Sequence, residues 1–182
     1  MSRKTASDKT NLTPITANEE KTGQEPEDGQ EVNAQDSLNA IENEFGDVLL
    51  SGKGKKLSPK SDSFVYFDLV TQNSDNQLHI RLTGNDGGGL HSKEHIPIQS
   101  ILDVLEKLDD KPFKSAVFGS VFRGLSANNK SFMAAAMRSE TIGLILPSPN
   151  SAFLHVLAPD FKERRDKLLT LVNPESTSKT KS

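Results

Sequence analysis

Large apolar side chains are almost missing from residues 2–35, where Leu12, Ile15 and Val32 stand alone among polar and charged residues. Ordering one residue of backbone costs roughly 1–2 kcal/mol, and the burial of apolar surface is the main term that offsets this cost. A segment of this composition cannot supply that burial, so we expect it to be disordered. The run 174–182 has a similar composition, and we expect the same of it.

The acidic and cationic side chains are also distributed unevenly along the chain. Residues 1–50 hold four cationic and eleven acidic side chains, whereas residues 51–174 hold sixteen cationic and thirteen acidic ones. The sequence therefore predicts a disordered acidic tail over 1–50, followed by a mildly basic part that folds.

Residue types exclude or disfavour several classes of protein. The sequence has no Cys, so it can form neither a disulfide nor a thiolate metal site. No apolar run approaches the roughly 18 residues of a membrane span, and the first thirty residues lack a signal-peptide stretch. We therefore expect an intracellular, cytoplasmic protein without a membrane partner, located at the nucleoid or in the nucleus if it binds DNA.

One segment inside the acidic tail has a helical pattern. Apolar residues at spacings of three and four predict a short amphipathic helix over 36–50, and its partner-binding residues are Leu38, Ile41, Phe45 and Leu49. A helix this short is ordered only by packing. It docks either on the protein's own folded part or on a partner protein, and the sequence leaves both open.

The run 51–63 is rich in Gly and Ser, which is typical of a flexible linker. It also holds the densest group of cations in the chain, namely Lys53, Lys55, Lys56 and Lys60. These lysines either contact a phosphate backbone or are solvated charges that offset the acidic tail.

The part from 64 to 173 shows both strand and helix patterns. Aromatic and β-branched residues predict a strand over 64–71, clean alternation predicts another over 77–83, and the two form a hairpin. The glycines at 84–89 predict a loop. Apolar spacing, caps and breakers then predict helices over 98–108, 112–123, 127–139 and 160–172, with a second hairpin made of strands 142–147 and 152–157.

The order of helix, glycine-containing turn, capped helix and hairpin resembles a winged helix-turn-helix. The stretch Ser120-Val-Phe-Arg-Gly-Leu-Ser126 carries the resemblance. In such motifs a small residue lets two helices cross closely, glycine takes the turn, and a hydroxyl caps the next helix. Residues 136–145 resemble the end of a recognition helix that continues into a wing. The resemblance covers about 97–158 and implies a winged-helix-like α+β domain with an N-terminal β-hairpin.

This resemblance implies DNA binding through the helix at 127–139. Polar side chains on that helix would enter a major groove, where Arg can bond to guanine and Asn to adenine. Arg123 and the linker lysines would contact phosphates. The predicted nucleic-acid-binding residues are Asn128, Asn129, Lys130, Ser131, Arg138, Arg123, Lys53, Lys55 and Lys56.

A protein–protein interaction adaptor is the alternative function. Winged-helix folds also bind proteins, and the helix at 127–139 is rich in Ala and Met with only Lys130 and Arg138 as cations. In that case the same domain and the 36–50 segment would contact the partner. Both hypotheses describe a non-catalytic protein without a cofactor, and both leave the oligomeric state open.

One run matches a zinc-peptidase motif letter by letter. His91-Ser-Lys-Glu94-His95 has the H-x-x-E-H pattern, whose chemistry requires both imidazoles on one helical face. The run follows a glycine-rich stretch and ends two residues before Pro97, where a helix is hard to sustain. We therefore expect no metal site and no catalytic residue in this run.

Overall fold

A computed structural model of the chain describes residues 44–124 and 126–172. The predicted disordered tails at 1–35 and 174–182 lie outside the described residues, and so do residues 36–43 of the predicted amphipathic helix, with Leu38 and Ile41. The described part is mixed α+β, and its sheets are antiparallel.

The first half of the described chain forms a four-stranded antiparallel sheet. The strands follow one another in the order of the sequence and are β1 (Phe45–Lys55), β2 (Phe64–Gln72), β3 (Leu78–Asn85) and β4 (His95–Pro97). The predicted hairpin of β2 and β3 is confirmed, with Leu69 opposite Ile80 across the pair. A loop with Gly87, Gly88 and Gly89 at positive φ joins β3 to β4.

The second half combines helices with a smaller sheet. Its elements are α1 (Ile98–Glu106), β5 (Phe113–Lys114), a 3₁₀ helix (Ser115–Val121), α2 (Asn129–Met137), β6 (Ile145–Ser148), β7 (Ser151–Leu157) and α3 (Phe161–Leu169). The three strands lie in the order β5-β7-β6. The predicted helices α1, α2 and α3 and the predicted hairpin of β6 and β7 are confirmed, with ends that differ by a few residues.

The helix α2 lies at the centre of the core. The side chains from Phe132 to Met137 are all buried, and those from Met133 to Met137 are completely inaccessible to solvent. The helix contacts β1, β2 and the 3₁₀ helix. Such an all-round apolar sequence is expected of a helix enclosed by its own protein, because no face of it favours water.

The predictions for residues 45–55 are wrong. Residues 45–50 were expected to complete an amphipathic helix and residues 51–55 to begin a flexible linker, but all of them lie in β1 and pair with β2. The glycines serve close packing here rather than flexibility. A Cβ on Gly52 would collide with the Phe67 ring, and one on Gly54 would collide with the backbone carbonyl of Ala135 in α2. Gly54 therefore lets β1 lie directly against α2.

The predicted helix over 112–123 is also wrong in type and in its beginning. Phe113 pairs with His155 of β7, so the backbone at 113–114 is extended and Pro112 starts no helix. Only after Lys114 does the chain turn, and it then forms a 3₁₀ helix with Phe118 fully buried. Tertiary strand pairing has overridden the helical spacing of the apolar residues.

The contact between β1 and α2 makes a direct prediction about stability. Gly54→Ala should lower the free energy of unfolding by about 2 kcal/mol or more, because the added methyl group meets a backbone carbonyl that cannot move without shifting α2. Urea unfolding followed by circular dichroism measures this change.

Gly84→Ala in β3 is the matched control. Its Cβ would lie 3.9 Å from Tyr66 Cδ2, an ordinary contact, so its effect should stay within about 0.5 kcal/mol. Equal effects of the two substitutions would contradict the role of Gly54 in close packing.

Candidate functional site

Most residues predicted to face DNA on α2 are turned towards the protein instead. Asn129 is 1% exposed, accepts a hydrogen bond from Ser92 N at 2.9 Å and donates one to Gly124 O at 3.3 Å. Asn128 donates to Leu90 O at 3.1 Å, and Ser131 donates to Asn128 O at 2.9 Å. Asn128 and Asn129 thus hold the loop at Leu90 and Ser92 and the turn at Gly124, and Ser131 bonds within the start of α2, so the DNA-facing orientation predicted for these three side chains is not observed.

Arg138 connects α2 to the second sheet. Its Nη1 donates to Ala152 O at 2.9 Å and its Nη2 donates to Leu154 O at 2.6 Å, both in β7. Burial lowers the pKa of this guanidinium from its ordinary value. A side chain held by two backbone carbonyls is a structural link, and it is not presented to a ligand.

The cations of the predicted linker lie on β1 and on the turn that follows it. Lys53 Nζ lies 4.7 Å from the centre of the Phe64 ring, and Lys55 pairs with Asp62 at 2.9 Å. Lys56 is more firmly held: it donates to Asn85 Oδ1 at 2.8 Å and to Asp86 O, and it lies 5.2 Å from the centre of the Phe132 ring.

Arg123 lies beside Glu94 near the turn that precedes α2. Burial favours the protonated form of Glu94, but hydrogen bonds from Ser92 Oγ and from the N–H groups of Arg123 and Gly124 outweigh it. These bonds, with the Arg123 charge, hold the Glu94 pKa below its usual range. Glu94 thus stabilises the bend at Gly124, where the sequence predicts a turn.

A groove of about 760 Å³ opens where the β1–β2 turn, the start of the 3₁₀ helix, the start of α2 and the start of β7 meet. We call it the basic groove, because three of its lining residues are cations and none is acidic. The lysines are Lys56, Lys114 and Lys130; the aromatic residues are Phe132 and Phe153. Hydroxyl groups from Ser58, Ser115, Ser131 and Ser151 add polar character.

Lys114 and Lys130 give the basic groove its free charge. Both side chains are exposed, and no carboxylate among residues 44–124 and 126–172 lies within ion-pairing distance of either. By contrast, the cavity of about 450 Å³ beside α3 is lined by acids and bases together, including Glu140, Glu163 and Arg164. The basic groove therefore has a single sign of charge, which favours anions.

Phe153 is the second unusual feature of the basic groove. It is 58% exposed, although it lies in a strand of the second sheet. Phe153 and Lys114 both line the basic groove, so an aromatic ring and a cation border the same cavity. An aromatic face next to free cations can stack on a planar group of an anionic ligand.

Sequence reasoning identified only Lys56, Lys130 and Ser131 among the groove residues named here. It misses Lys114, because apolar spacing predicts a helix over 112–123, and it misses Phe153, because an aromatic residue in a strand is more often core. The signal for Phe153 was weak: it stands three residues after the polar turn Pro149-Asn150.

Beneath the basic groove, Ser115 Oγ lies 2.9 Å from Nε2 of the fully buried His155. Burial, followed by repulsion from the Arg138 charge, lowers the pKa of His155 from 6.5 to about 4. His155 is therefore neutral near pH 7, and its contact with Ser115 fixes the start of the 3₁₀ helix on β7.

The residues of the zinc-peptidase pattern do not form that site. Residues 91–94 are not helical, and His95 begins β4. The His95 ring stacks on Phe45, with centroids 3.8 Å apart and planes at 9°. In the described ranges, no three His, Asp or Glu side chains come together in a group that could hold a metal ion.

The predicted partner-binding residues are separated by the strand geometry. Phe45 packs half-buried on His79 and His95, whereas Leu49 is 40% exposed at a β-bulge of β1. Leu38 and Ile41 lie outside the described residues. Phe45 and Leu49 therefore do not share a helical face.

The sequence matches no protein-family model, and no curated protein or solved structure is significantly similar to it. None of the helices within 44–124 and 126–172 is both long enough and apolar enough to span a membrane. The fold and the site define a mixed α+β protein with a basic, partly aromatic groove, and its function must be argued from that groove.

The environment of His155 predicts a pH dependence of stability. In the unfolded chain a His titrates near 6.5, whereas the folded pKa is about 4. The unfolded state therefore binds the proton first, and stability that is complete above pH 6.5 is lost as the pH falls towards 4. The loss from this residue should be about 3 kcal/mol, measured by urea unfolding at pH 7.5 and pH 4.

His155→Gln, whose amide can still reach Ser115, should remove most of this component of the pH dependence. His91→Gln is the control, since it removes one imidazole from a loop outside this contact. If both variants kept the full wild-type slope between these pH values, a neutral buried His155 would be excluded.

Proposed function

We propose that this protein is a non-catalytic, DNA-binding accessory or regulatory protein that contacts the nucleic acid through the basic groove. The observation that carries the proposal is the pair of exposed cations, Lys114 and Lys130, in a groove to which the described residues 44–124 and 126–172 contribute no carboxylate. Lysines of this kind contact the phosphate groups of a nucleic acid backbone.

The arrangement of elements supports the same function by a route different from a recognition helix. The 3₁₀ helix, α2 and the hairpin of β6 and β7 follow one another in the order expected of a winged-helix-like domain. Because most of α2 is buried, the contact with DNA would fall to its exposed start at Lys130 and to the hairpin of β6 and β7, which would take the part of a wing.

The number of lysines in the basic groove determines how strongly DNA binding depends on salt. Up to three lysines can meet phosphates in the basic groove, so the logarithm of the affinity should fall with the logarithm of salt concentration with a slope of about −2 to −3. Binding should therefore be clear at low salt and weak at physiological salt.

Lys114→Glu combined with Lys130→Glu should weaken DNA binding at low salt by about tenfold or more and reduce the salt slope by about 2, because two phosphate contacts are replaced by repulsion. Fluorescence anisotropy of labelled duplex and single-stranded oligonucleotides over a salt series measures both quantities.

Lys162→Glu combined with Lys167→Glu is the matched control. It changes the net charge by the same amount on α3, outside the basic groove. Equal losses in the two double variants would show that only net charge matters, and an absence of binding by the wild type at low salt would end the proposal.

A protein–protein interaction adaptor is a second candidate, favoured by an apolar patch on the surface. Val48 and Leu49 of β1 are 44% and 40% exposed, and Leu171 is 38% exposed. Leu50, the next residue of β1, lines one cavity with Leu171, and we call the exposed residues Val48, Leu49 and Leu171 the apolar patch. Exposed clusters of this kind are common at protein interfaces.

Leu49→Asp with Leu171→Asp tests the adaptor function, since both residues are exposed and the change should leave the fold intact. Proteins that co-purify with the wild type after nuclease treatment should be lost with this double variant and retained with the Lys114→Glu, Lys130→Glu variant. Complexes that disappear on nuclease treatment alone would contradict the adaptor function and support nucleic-acid binding.

A further inference from the structure

We propose that the basic groove takes single-stranded nucleic acid, with one base stacked on the ring of Phe153 and the flanking phosphates on Lys114 and Lys130. This inference rests on the proposed function and names the form of nucleic acid that the groove accepts. It is carried by one groove that is lined both by an exposed aromatic ring and by two exposed lysines.

Phe153 provides a stacking platform at the groove. Its ring is 58% exposed, and the hydroxyl of Ser151, two residues earlier, accepts a hydrogen bond from Phe153 N at 3.3 Å. The backbone of β7 next to this ring pairs with the backbone of β5, where Leu154 lies opposite Lys114. A base that stacks on such a ring contributes about 1–3 kcal/mol, and this gain is available to any base.

The polar groups of the groove match a single sugar–phosphate chain. Lys114 and Lys130 form no ion pair with the residues that the structure describes. Ser151 accepts a bond from Phe153 N, so its hydroxyl hydrogen can still be donated to a phosphate oxygen. Ser115 and Ser131 are already bonded to His155 and Asn128 O. These donors come from β5, α2 and β7, so a strand could be bound from several sides.

A duplex does not use these features. Its bases are stacked on one another, so a side chain in a groove wall has no free base face to contact. The helix at this groove, α2, is mostly buried and does not present a row of polar side chains to base edges. Phosphate contacts alone would need only the lysines and would gain nothing from an exposed Phe.

The exposed ring of Phe153 favours this occupant over an acidic peptide. A peptide carboxylate would satisfy a lysine as well as a phosphate does, but it brings no planar ring system for Phe153. The combination of stacking and a cationic track is the pattern by which proteins hold single strands without sequence preference.

The test compares Phe153→Leu with Phe153→Tyr in the full chain. Leu keeps apolar bulk and loses the aromatic face, whereas Tyr keeps the face. Affinity for an oligothymidine of about 12 nucleotides, measured by fluorescence anisotropy at low salt, should fall roughly tenfold with Leu and stay near the wild-type value with Tyr. The salt slope should be the same in all three proteins, since no cation changes.

The ligands provide a second control. An abasic oligonucleotide of the same length should bind the wild type and Phe153→Leu equally, because it has no base to stack, and a duplex of the same length should bind the wild type more weakly than oligothymidine. Because Phe153 is exposed, both variants should unfold at the wild-type urea concentration.

The outcomes separate this inference from the proposed function. Equal binding of oligothymidine by wild type and Phe153→Leu, or a preference for the duplex, would overturn single-strand stacking while leaving the lysine contacts standing. If polyglutamate competes as well as oligothymidine, and its affinity falls as much in Phe153→Leu, the ligand of the groove is an acidic protein partner and not single-stranded nucleic acid. If the wild type binds no nucleic acid at all, both proposals fail together.

Discussion

The close approach of β1 to α2 at Gly54 is the contact on which the rest of the structure depends. It brings a strand backbone against the backbone of a helix that has Ala at three successive positions, 134–136. With β1 and β2 on one side and the 3₁₀ helix on another, α2 becomes a fully enclosed core element. Small residues on both partners make this possible, because each omitted side-chain atom shortens the distance between the backbones.

Because α2 is buried, the groups that can contact a ligand lie mainly on the elements around this helix. Polar residues that would read bases on an exposed helix here fasten the loop at Leu90–Ser92, the turn at Gly124 and the strand β7. The surface that remains for a ligand is made by the ends of several elements. Such a site has a charge and shape that depend on the whole fold, and no single segment contains it.

Local patterns predicted the elements well where one face is buried and the period is clear. The alternation of Leu78, Ile80 and Leu82 predicts β3, and the spacing of Ile98, Ile101 and Leu105 predicts α1. The errors arose where long-range contacts decide the conformation. Alternating Gly and Lys at 52–55 indicated a flexible linker, because nothing nearby in the sequence shows that α2 covers the glycines.

The candidate site was less predictable than the fold for the same reason. Lys130 was identified from its own helix, but Lys114 and Phe153 lie in strands that pair only through tertiary contacts. Neither the distance between them nor the lack of a nearby carboxylate can be derived from spacing along the chain. Exposure of Phe153 is also a property of the folded surface, since β7 is the central strand of its sheet, where an aromatic residue is more often core.

The bond from Arg138 to β7 has a consequence for the energetics of binding. Its guanidinium holds the carbonyls of Ala152 and Leu154, which are the residues on either side of Phe153. The backbone that carries the ring is thus preorganised by a charge anchored at the end of α2. A ligand that stacks on this ring therefore orders little of the hairpin. The conformational entropy lost on binding is that of the ligand's own chain.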